Sequence, residues 1–347
     1  MSPERLAALV AEHDEGFSGV LLVRRGEETL FSGAWGLANR AWGVPNAPDT
    51  RFRVASVGKM FTAVAVLRLV ERGQIGLETP VGPLLGLDRG GVPPEVTVRH
   101  LLTMSAGIAD WFEESDGPDG DTWEALAART PLHTLRENRD YLPLFADRPP
   151  RARPGERHAY SNSSYILLGL ILEQISGQPY AQHIAEQVFA PAGMVDSGLP
   201  GLDGVEARVA EGYALRDGVW KRNIYLCTPP AADGGATCTA PDLLRFLAAA
   251  RAGRLLGPAL TAALLRPQIA DGDAPYRGCW WHYGYGAIFL TNEQGQVLRY
   301  GHTGEEEGAS ARLMAYPTLG LDVALLSNHS EGVSRLAWPL HDLILGG

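Results

Sequence analysis

Lysine is scarce in this chain, and its position makes it chemically informative. Only two of the 30 lysine and arginine residues are lysines, and one of them, Lys59, stands three residues after Ser56 ahead of an apolar segment. Arginine stays protonated in proteins, whereas a buried lysine can lose its proton near neutral pH and act as a base. The spacing therefore suggests a serine nucleophile beside a lysine proton acceptor, although taken alone Ser56 is better explained as an ordinary helix N-cap.

Two further patterns carry residues that could complete such a site. Tyr160-Ser161-Asn162 precedes an apolar helical segment, and Gly301-His302-Thr303-Gly304 stands at the predicted end of a strand. A tyrosine hydroxyl can relay a proton, and an asparagine amide can donate to a carbonyl. Each pattern also has a structural explanation: a packed loop aromatic, an Asx turn before the helix, and a strand end followed by a turn.

Taken together, the order and spacing of the three patterns resemble the serine penicillin-recognising family. Its members, which include class C β-lactamases, DD-carboxypeptidases, D-aminopeptidases and family VIII carboxylesterases, combine Ser-x-x-Lys, Tyr-x-Asn and Lys/His-Thr/Ser-Gly elements. Residues 36–40, 49–55, 101–107 and 232–235 resemble the family as well. The resemblance spans nearly the whole chain and implies a β-lactamase/transpeptidase-like fold.

The resemblance implies a catalytic group of Ser56, Lys59, Tyr160 and His302. Ser56 would attack a carbonyl and form an acyl-enzyme that water then hydrolyses. Whether Lys59 or Tyr160 is the base during acylation stays open, because the two groups titrate together. His302 replaces the commoner lysine, which supports proton transfer but gives up a permanent cation.

The same resemblance implies a substrate-binding group of Asn162, Thr303, Gly304 and Glu305. Asn162 would donate to a carbonyl on the acyl side. Thr303 and Gly304 would line the strand edge, with Gly304 leaving room for the acyl group. The backbone N–H groups of Ser56 and Glu305 would form the oxyanion hole.

Acidic residues depart from the family pattern near the expected cleft. Glu305, Glu306 and Glu307 follow one another, and residues 109–121 contain six carboxylates and no basic residue. Acidic runs are usually solvated surface. Here they also raise the hypothesis of a negative field that repels carboxylate substrates, which favours an esterase or an aminopeptidase-type amidase over a β-lactamase or DD-carboxypeptidase.

Periodicity predicts the elements that must position these residues. We expect helices at 4–14, 60–70, 165–176, 243–251 and 332–345, and strands at 19–23, 29–35, 283–290, 296–300, 310–316 and 321–327. The predicted fold class is α/β plus all-α, with an antiparallel sheet flanked by helices. Residues 1–74 and 229–347 would form the α/β lobe of a single catalytic domain, and 75–228 an inserted helical lobe.

Composition narrows the function classes. A net charge of −10 and a pI near 5.4 argue against a nucleic-acid partner. The sequence shows no secretory leader and no membrane-length apolar segment, so we expect a cytoplasmic protein without a membrane partner. Cys227, Cys238 and Cys279 lack metal or disulfide spacing, and we expect reduced thiols, no metal and no cofactor.

The expected partner is a small-molecule ester, amide or peptide. A non-catalytic penicillin sensor or structural subunit of the same fold, and an acyl transferase, remain alternatives at this point. The oligomeric state and the physiological substrate are not determined by the sequence. No Gly-x-Ser-x-Gly run occurs, which excludes the usual α/β-hydrolase nucleophile turn.

Overall fold

The computed structural model describes residues 2–13, 16–87, 90–113 and 121–346. Within them, strands run at Gly19–Arg25 (β1), Glu28–Trp35 (β2), Leu37–Asn39 (β3), Val44–Pro45 (β4), Phe52–Arg53 (β5), Tyr213–Arg216 (β6), Val219–Arg222 (β7), Thr237–Cys238 (β8), Ile269–Ala270 (β9), Trp280–Tyr283 (β10), Ile288–Thr291 (β11), Val297–Glu306 (β12), Ala309–Tyr316 (β13) and Leu321–Ser327 (β14).

Helices run at Pro3–His13 (α1), Lys59–Glu71 (α2), Val81–Leu85 (α3), Val98–Leu102 (α4), Trp123–Arg129 (α5), Leu142–Phe145 (α6), Asn162–Ser176 (α7), Tyr180–Ile184 (α8), Ala190–Ala192 (α9), Ala240–Arg251 (α10), Pro258–Leu264 (α11) and Ser334–Leu345 (α12). A π-helical turn, Ala185–Phe189, joins α8 to α9. Short 3₁₀ turns occupy Ala55–Gly58, Leu132–Thr134, Asn138–Tyr141 and Pro317–Leu319.

One antiparallel sheet organises the molecule, with the strand order β2-β1-β14-β13-β12-β11-β10-β9. The N-terminal hairpin therefore pairs with the last strand, from Gly19 opposite Ser327 to Arg25 opposite Leu321. Strand β12 pairs with β13 from Tyr300 to Glu306, which places the His302-Thr303-Gly304 run inside a central strand. The predicted antiparallel sheet flanked by helices is confirmed.

Separate apolar clusters cover the two faces of the sheet. On one face α1 and α12 pack against β1, β13 and β14 through residues such as Leu6, Val323 and Leu340. On the other face the larger core contains α2, α7 and α10, and Phe61 makes edge-to-face contacts with Phe189 and Phe246. Helix α2 is buried along almost its whole length, as its all-round apolar sequence predicts. It therefore forms a rigid base for the residues at its N-terminus.

Several predicted elements differ in extent. The expected strand at 283–290 is two strands, β10 and β11, because residues 284–287 form a turn with Gly286 at φ 72°. The strand expected to end near residue 300 continues to Glu306. The expected helical segment 75–228 also contains the hairpin β6–β7. Asp14 lies outside the described residues, and the division into two lobes stays a prediction.

Candidate active site

Ser56 lies in the 3₁₀ turn Ala55–Gly58, between β5 and α2. The turn is strained at Ala55, whose φ of 44° falls in the left-handed region that residues with a Cβ rarely adopt. Residues 231–235 pack closely on the turn, since a Cβ on Gly58 would lie 3.3 Å from Gly234 Cα. Ser56 makes no side-chain cap in this turn, so the simple N-cap explanation is wrong.

Lys59 is the first residue of α2 and is completely buried. Its Nζ lies 2.8 Å from Ser56 Oγ, 2.7 Å from Asn162 Oδ1 and 2.6 Å from the Asp233 carbonyl oxygen. The last two oxygens can only accept, so they take two N–H bonds of Lys59. The third direction points at Ser56, where an ammonium would donate and a neutral amine would accept the serine proton.

Asp110 fixes the orientation of Asn162 at the N-terminus of α7. Its carboxylate accepts from the backbone N–H groups of Asn162 at 2.9 Å and Ser163 at 2.8 Å, and from Asn162 Nδ2 at 3.3 Å. With its amide nitrogen toward Asp110, Asn162 turns Oδ1 toward Lys59. Asp110 is 1% exposed, so this acidic residue belongs to the framework of the site and not to a solvated run.

Tyr160 lies beside Lys59 and is half-buried. The lysine Nζ is 5.0 Å from the centre of the Tyr160 ring, and the ring is 6.4 Å from that of His302. The Arg151 side chain fixes the Tyr160 backbone by donating to its carbonyl oxygen at 2.9 Å. The structure thus brings the four residues of the predicted catalytic group together.

His302 is held as a neutral imidazole. Its Nδ1 lies 2.5 Å from the Thr303 carbonyl oxygen, which can only accept, so Nδ1 carries the proton. Nε2 then accepts from the Tyr283 hydroxyl at 3.1 Å. Burial, reinforced by the charge of Lys59, lowers the pKa of His302 to about 3. His302 therefore supplies no cation here.

Gly304 allows β12 to pass directly against the serine turn. A Cβ at this position would lie 2.2 Å from the Val54 carbonyl oxygen and 3.1 Å from Ser56 N. The space at Gly304 is thus filled by backbone, and not left for an acyl group as the sequence suggested. Thr303 and Glu305 alternate with it along the strand, and the Glu305 side chain contacts Arg312 and Ser334 at 2.5 and 2.6 Å.

The three consecutive glutamates are each paired with an arginine. Glu305 pairs with Arg312 at 2.5 Å and Glu307 with Arg216 at 2.5 Å. Glu306 forms a buried two-bond ion pair with Arg53.

In the loop at 109–121, Glu113 pairs with Arg151 and Asp121 with Arg129, while Glu114, Asp116 and Asp119 lie outside the described residues. These arginine pairs count against the hypothesis of a negative field at the cleft, whereas Asp110 accepts hydrogen bonds from backbone N–H groups.

A small cavity of about 30 Å³ opens in front of Ser56. Its walls include three large aromatic side chains, and Trp111 donates through Nε1 to Asp233 Oδ2 at 2.8 Å. Phe112 stacks on Trp123 with ring centres 4.3 Å apart. The described lining residues are Ala55, Ser56, Trp111, Phe112, Trp123, Asn162, Thr228, Asp233, Gly234, Gly235, Glu305 and Glu306, and they include no lysine or arginine.

Sequence reasoning missed the roles of Asp110, Asp233, Tyr283 and Trp111. Residues 232–235 carried a family signal, but nothing in it indicated that the Asp233 carbonyl would bind Lys59. Asp110 stood within an acidic run, and Tyr283 and Trp111 lie far from the motifs in sequence. Only the tertiary contacts reveal these residues.

Residues 6–345 match the family profile described as Beta-lactamase. The chain belongs to the β-lactamase family. This membership also places it among serine hydrolases of the β-lactamase fold.

Proteins of several different names are similar to this chain in sequence or in fold. The chain is 32% identical to Esterase EstB from Burkholderia gladioli, with 91% of this chain and 87% of the esterase covered. A penicillin binding protein from Bacillus halodurans has a crystal structure that is 34% identical and superposes with a TM-score of 0.89 over 97% of this chain and 99% of that one. D-amino acid amidase from Ochrobactrum anthropi, 22% identical over 99% of this chain and 97% of the amidase, shares the fold with a TM-score of 0.79.

Other features bear on metals, thiols and membranes. The described residues contain no group of three or more histidines, cysteines or acidic residues placed to hold a metal ion. Cys227, Cys238 and Cys279 are free and buried, and burial raises the pKa of Cys238 to about 12. Among the helices of the described chain, none is long and apolar enough to cross a bilayer.

Proposed function

We propose that the chain hydrolyses a carboxylic ester or amide through an acyl-Ser56 intermediate. The observation that carries this proposal is the buried Lys59 amine, 2.8 Å from Ser56 Oγ and fixed by Asn162 Oδ1 and the Asp233 carbonyl. Two acceptors occupy two of its N–H bonds, so a neutral amine would direct its lone pair at the serine. A pure binding module has no need of this arrangement.

In the proposed acylation step, Ser56 Oγ attacks the substrate carbonyl while its proton passes to the Lys59–Tyr160 pair. The same pair returns a proton to the leaving alcohol or amine as the carbon–oxygen or carbon–nitrogen bond breaks. In deacylation, a water gives up a proton to this pair and attacks the acyl carbon. The bond from the acyl carbon to Ser56 Oγ then breaks, the pair returns a proton to Oγ, and the carboxylic acid is released. We assign Tyr160 to the proton route toward the leaving group. The position of its ring beside Lys59 and His302 supports this assignment.

We assign oxyanion stabilisation to the backbone N–H groups of Ser56 and Glu305. The close approach of β12 to the serine turn at Gly304 supports this assignment, since it brings the two backbone segments together. Preorganised donors of this kind are worth about 3–4 kcal/mol of activation free energy each. His302, neutral and hydrogen-bonded to Tyr283, acts as a positioning residue that packs beside Tyr160.

The proposed substrate class is an ester or amide without a carboxylate beside the reacting carbonyl. Supporting this, His302 is neutral with a pKa of about 3, and the described lining of the cavity holds no lysine or arginine. A β-lactam or a D-Ala-D-Ala terminus would bring a carboxylate into this region without a described cation in the lining to meet it. The aromatic wall of Trp111, Phe112 and Trp123 further favours short acyl groups. An esterase activity also fits the similarity to Esterase EstB.

A substrate panel tests the proposal with the purified chain and Ser56→Ala as the blank. We expect the highest kcat/KM for p-nitrophenyl acetate or butyrate, less for p-nitrophenyl decanoate, and the lowest value for nitrocefin. D-phenylalanine p-nitroanilide, which has a free amine, and its N-acetyl form test the amidase alternative. A kcat/KM for the free-amine anilide above that of every ester would favour an amidase.

Two outcomes would contradict the proposal. Nitrocefin as the best substrate would show that a carboxylate is accepted, and would make the chain a β-lactamase. Failure of a fluorophosphonate to add its mass to Ser56, together with no turnover of any substrate, would favour a non-catalytic binding protein.

A further inference from the structure

Arg299 is a buried cation with no acidic partner among the described residues. Its side chain lies on β12 and the residue is 8% exposed. The described contacts of its guanidinium are the Met314 sulfur, 3.5 Å from Nη1, the Tyr316 hydroxyl, and the face of Trp338, whose ring centre is 5.3 Å away. Burial is the main cause that lowers the pKa of Arg299, and the nearby charge of Arg312 acts in the same direction.

Arg51 shows what a buried arginine normally has in this protein. It is 9% exposed and donates from Nη1 to Glu206 at 2.7 Å. A buried charge without such a counterion costs several kcal/mol of effective desolvation. The chain carries ten more acidic than basic side chains, so a shortage of carboxylates does not explain why Arg299 has none.

Arg299 borders a cavity of about 270 Å³. The cavity lies between the sheet and α12, on β10, β12 and β13. The other described lining residues are Trp281, Ile288, Gly301, His302, Thr303, Arg312, Leu313, Met314, Ser334, Ala337 and Trp338. Arg312 is already satisfied by Glu305, whereas the buried Nε1 of Trp281 has no hydrogen-bond acceptor among the described residues. Two buried donors without strong acceptors thus border one space.

We propose that this cavity binds a small organic carboxylate with a compact apolar body. The carboxylate would accept from the Arg299 guanidinium and from Trp281 Nε1. The aromatic faces of Trp281 and Trp338, with Leu313, Met314 and Ala337, would enclose the apolar part. The indole and thioether walls give too few donors for inorganic phosphate. His302 and Thr303 of β12 also line this cavity, whereas Ser56 does not, so β12 separates the cavity from the serine. The proposal does not depend on the proposed hydrolase activity.

Calorimetric titration of the whole chain with sodium benzoate tests the site, with tryptophan fluorescence as a second signal. We expect one benzoate per chain with a Kd of about 1 mM or tighter. Benzamide, the uncharged analogue, and inorganic phosphate should each bind at least about tenfold more weakly. Titration after a fluorophosphonate has blocked Ser56 should give the same Kd, because Ser56 does not line this cavity.

Variants locate the ligand. Arg299→Met should weaken benzoate binding at least about tenfold. Trp281→Phe, which keeps the ring but loses the N–H, should weaken it about threefold. The matched control is Arg277→Met: Arg277 also stacks on Trp338, at 4.6 Å, but it is exposed and paired with Asp342, so binding should not change. Circular dichroism checks that each variant is folded, and Trp281→Phe still tests the site if Arg299→Met does not fold.

The proposal is overturned by any of four results: no saturation up to about 10 mM benzoate, equal binding of benzamide, tighter binding of inorganic phosphate, or loss of binding after Ser56 is blocked. Unchanged binding in folded Arg299→Met would also overturn it.

Discussion

At the scale of single residues, the two lysines provide a matched pair. Lys59 is fully buried with three polar atoms within 2.8 Å, and Lys221 is exposed on β7. Lys59→Arg keeps the positive charge but removes the group that can become neutral, and a guanidinium does not fit this space. We expect kcat/KM of Lys59→Arg to fall below about a tenth of wild type.

Steady-state assays on the best ester of the panel measure this effect. Lys221→Arg is the control and should retain full activity. Retention of more than a tenth of activity by Lys59→Arg would show that charge alone suffices at this position and would refute the proton-acceptor role.

Gly304 is the second residue whose change is informative. An added methyl group would collide with the Val54 carbonyl oxygen and press on Ser56 N, which would move β12 away from the serine turn. We expect Gly304→Ala to lower kcat about 10²-fold or more, the size of a lost oxyanion donor.

Gly76→Ala serves as the control for Gly304→Ala, because its Cβ would meet the Thr79 hydroxyl at 3.3 Å and Glu78 N at 4.0 Å and no atom of the serine turn. Pre-steady-state acylation rates of the two variants, measured at equal folded fraction, make the comparison. An acylation rate of Gly304→Ala close to wild type would mean that β12 does not supply the oxyanion site.

At the scale of elements, Asp110 connects a helix terminus to the site. Its carboxylate receives backbone N–H bonds at the start of α7 and holds the Asn162 amide nitrogen. Asp110→Asn would replace one carboxylate oxygen with an NH₂ group, and this group would face the N–H donors of Asn162 and Ser163. We expect a loss of about 2–3 kcal/mol in the free energy of unfolding, and a kcat lower by about tenfold because Oδ1 of Asn162 no longer fixes Lys59.

Thr239→Ala separates these two effects. The Thr239 hydroxyl caps α10 by accepting from Asp242 N at 3.2 Å, so its loss should cost about 1 kcal/mol of stability and leave kcat unchanged. Urea unfolding and kcat are measured together on both variants. If Asp110→Asn lost stability with kcat intact, Asp110 would be only a helix cap.

Helices and strands were predicted well where a continuous apolar run in the sequence marked them. The apolar run after Lys59 gave α2 within one residue at each end, and residues 321–327 gave β14 without error. The prediction failed at β12, because Gly301 looked like a strand terminus. In the sheet Gly301 is a mid-strand residue with φ 150°, and a Cβ there would lie 1.9 Å from the Leu313 carbonyl oxygen. The need for this glycine comes from the neighbouring strand, which local sequence cannot show.

The same limit applies to charges in the site. The three motifs predicted that Ser56, Lys59, Tyr160 and His302 would meet. Glu306 pairs with Arg53, which lies 253 positions away in the sequence. The sequence around the glutamate run therefore gave no sign that these carboxylates have arginine partners. Contacts across that distance arise from the fold and not from local composition.

At the scale of the whole molecule, buried histidines set an acid limit on stability. Burial is the main cause that lowers the pKa of His302 to about 3 and of His329 and His341 to about 4, from an ordinary value of 6.5. In the unfolded chain all three protonate below pH 6.5, so unfolding takes up protons. Their contribution to stability is therefore fully present above pH 6.5 and is lost as the pH falls toward 4.

We expect the free energy of unfolding to decline between pH 6.5 and 4.5, with up to about 1.4 kcal/mol per pH unit for each proton taken up. Urea titrations at pH 7.5, 6.0, 5.0 and 4.5 measure the slope, and His341→Gln should make it shallower. A stability that stays constant over this range would contradict the neutral, buried state of these side chains.

The position of β14 between β1 and β13 has a consequence for biosynthesis. A ribosome releases the β1–β2 hairpin long before β14, so the nascent chain holds an unpaired edge on β1 while the residues between them are synthesised. Unpaired edges recruit other strands, and long-range pairing is slow to form. Closure of this sheet therefore waits for β14, and loss of that strand would leave a chain dependent on chaperones to stay out of aggregates.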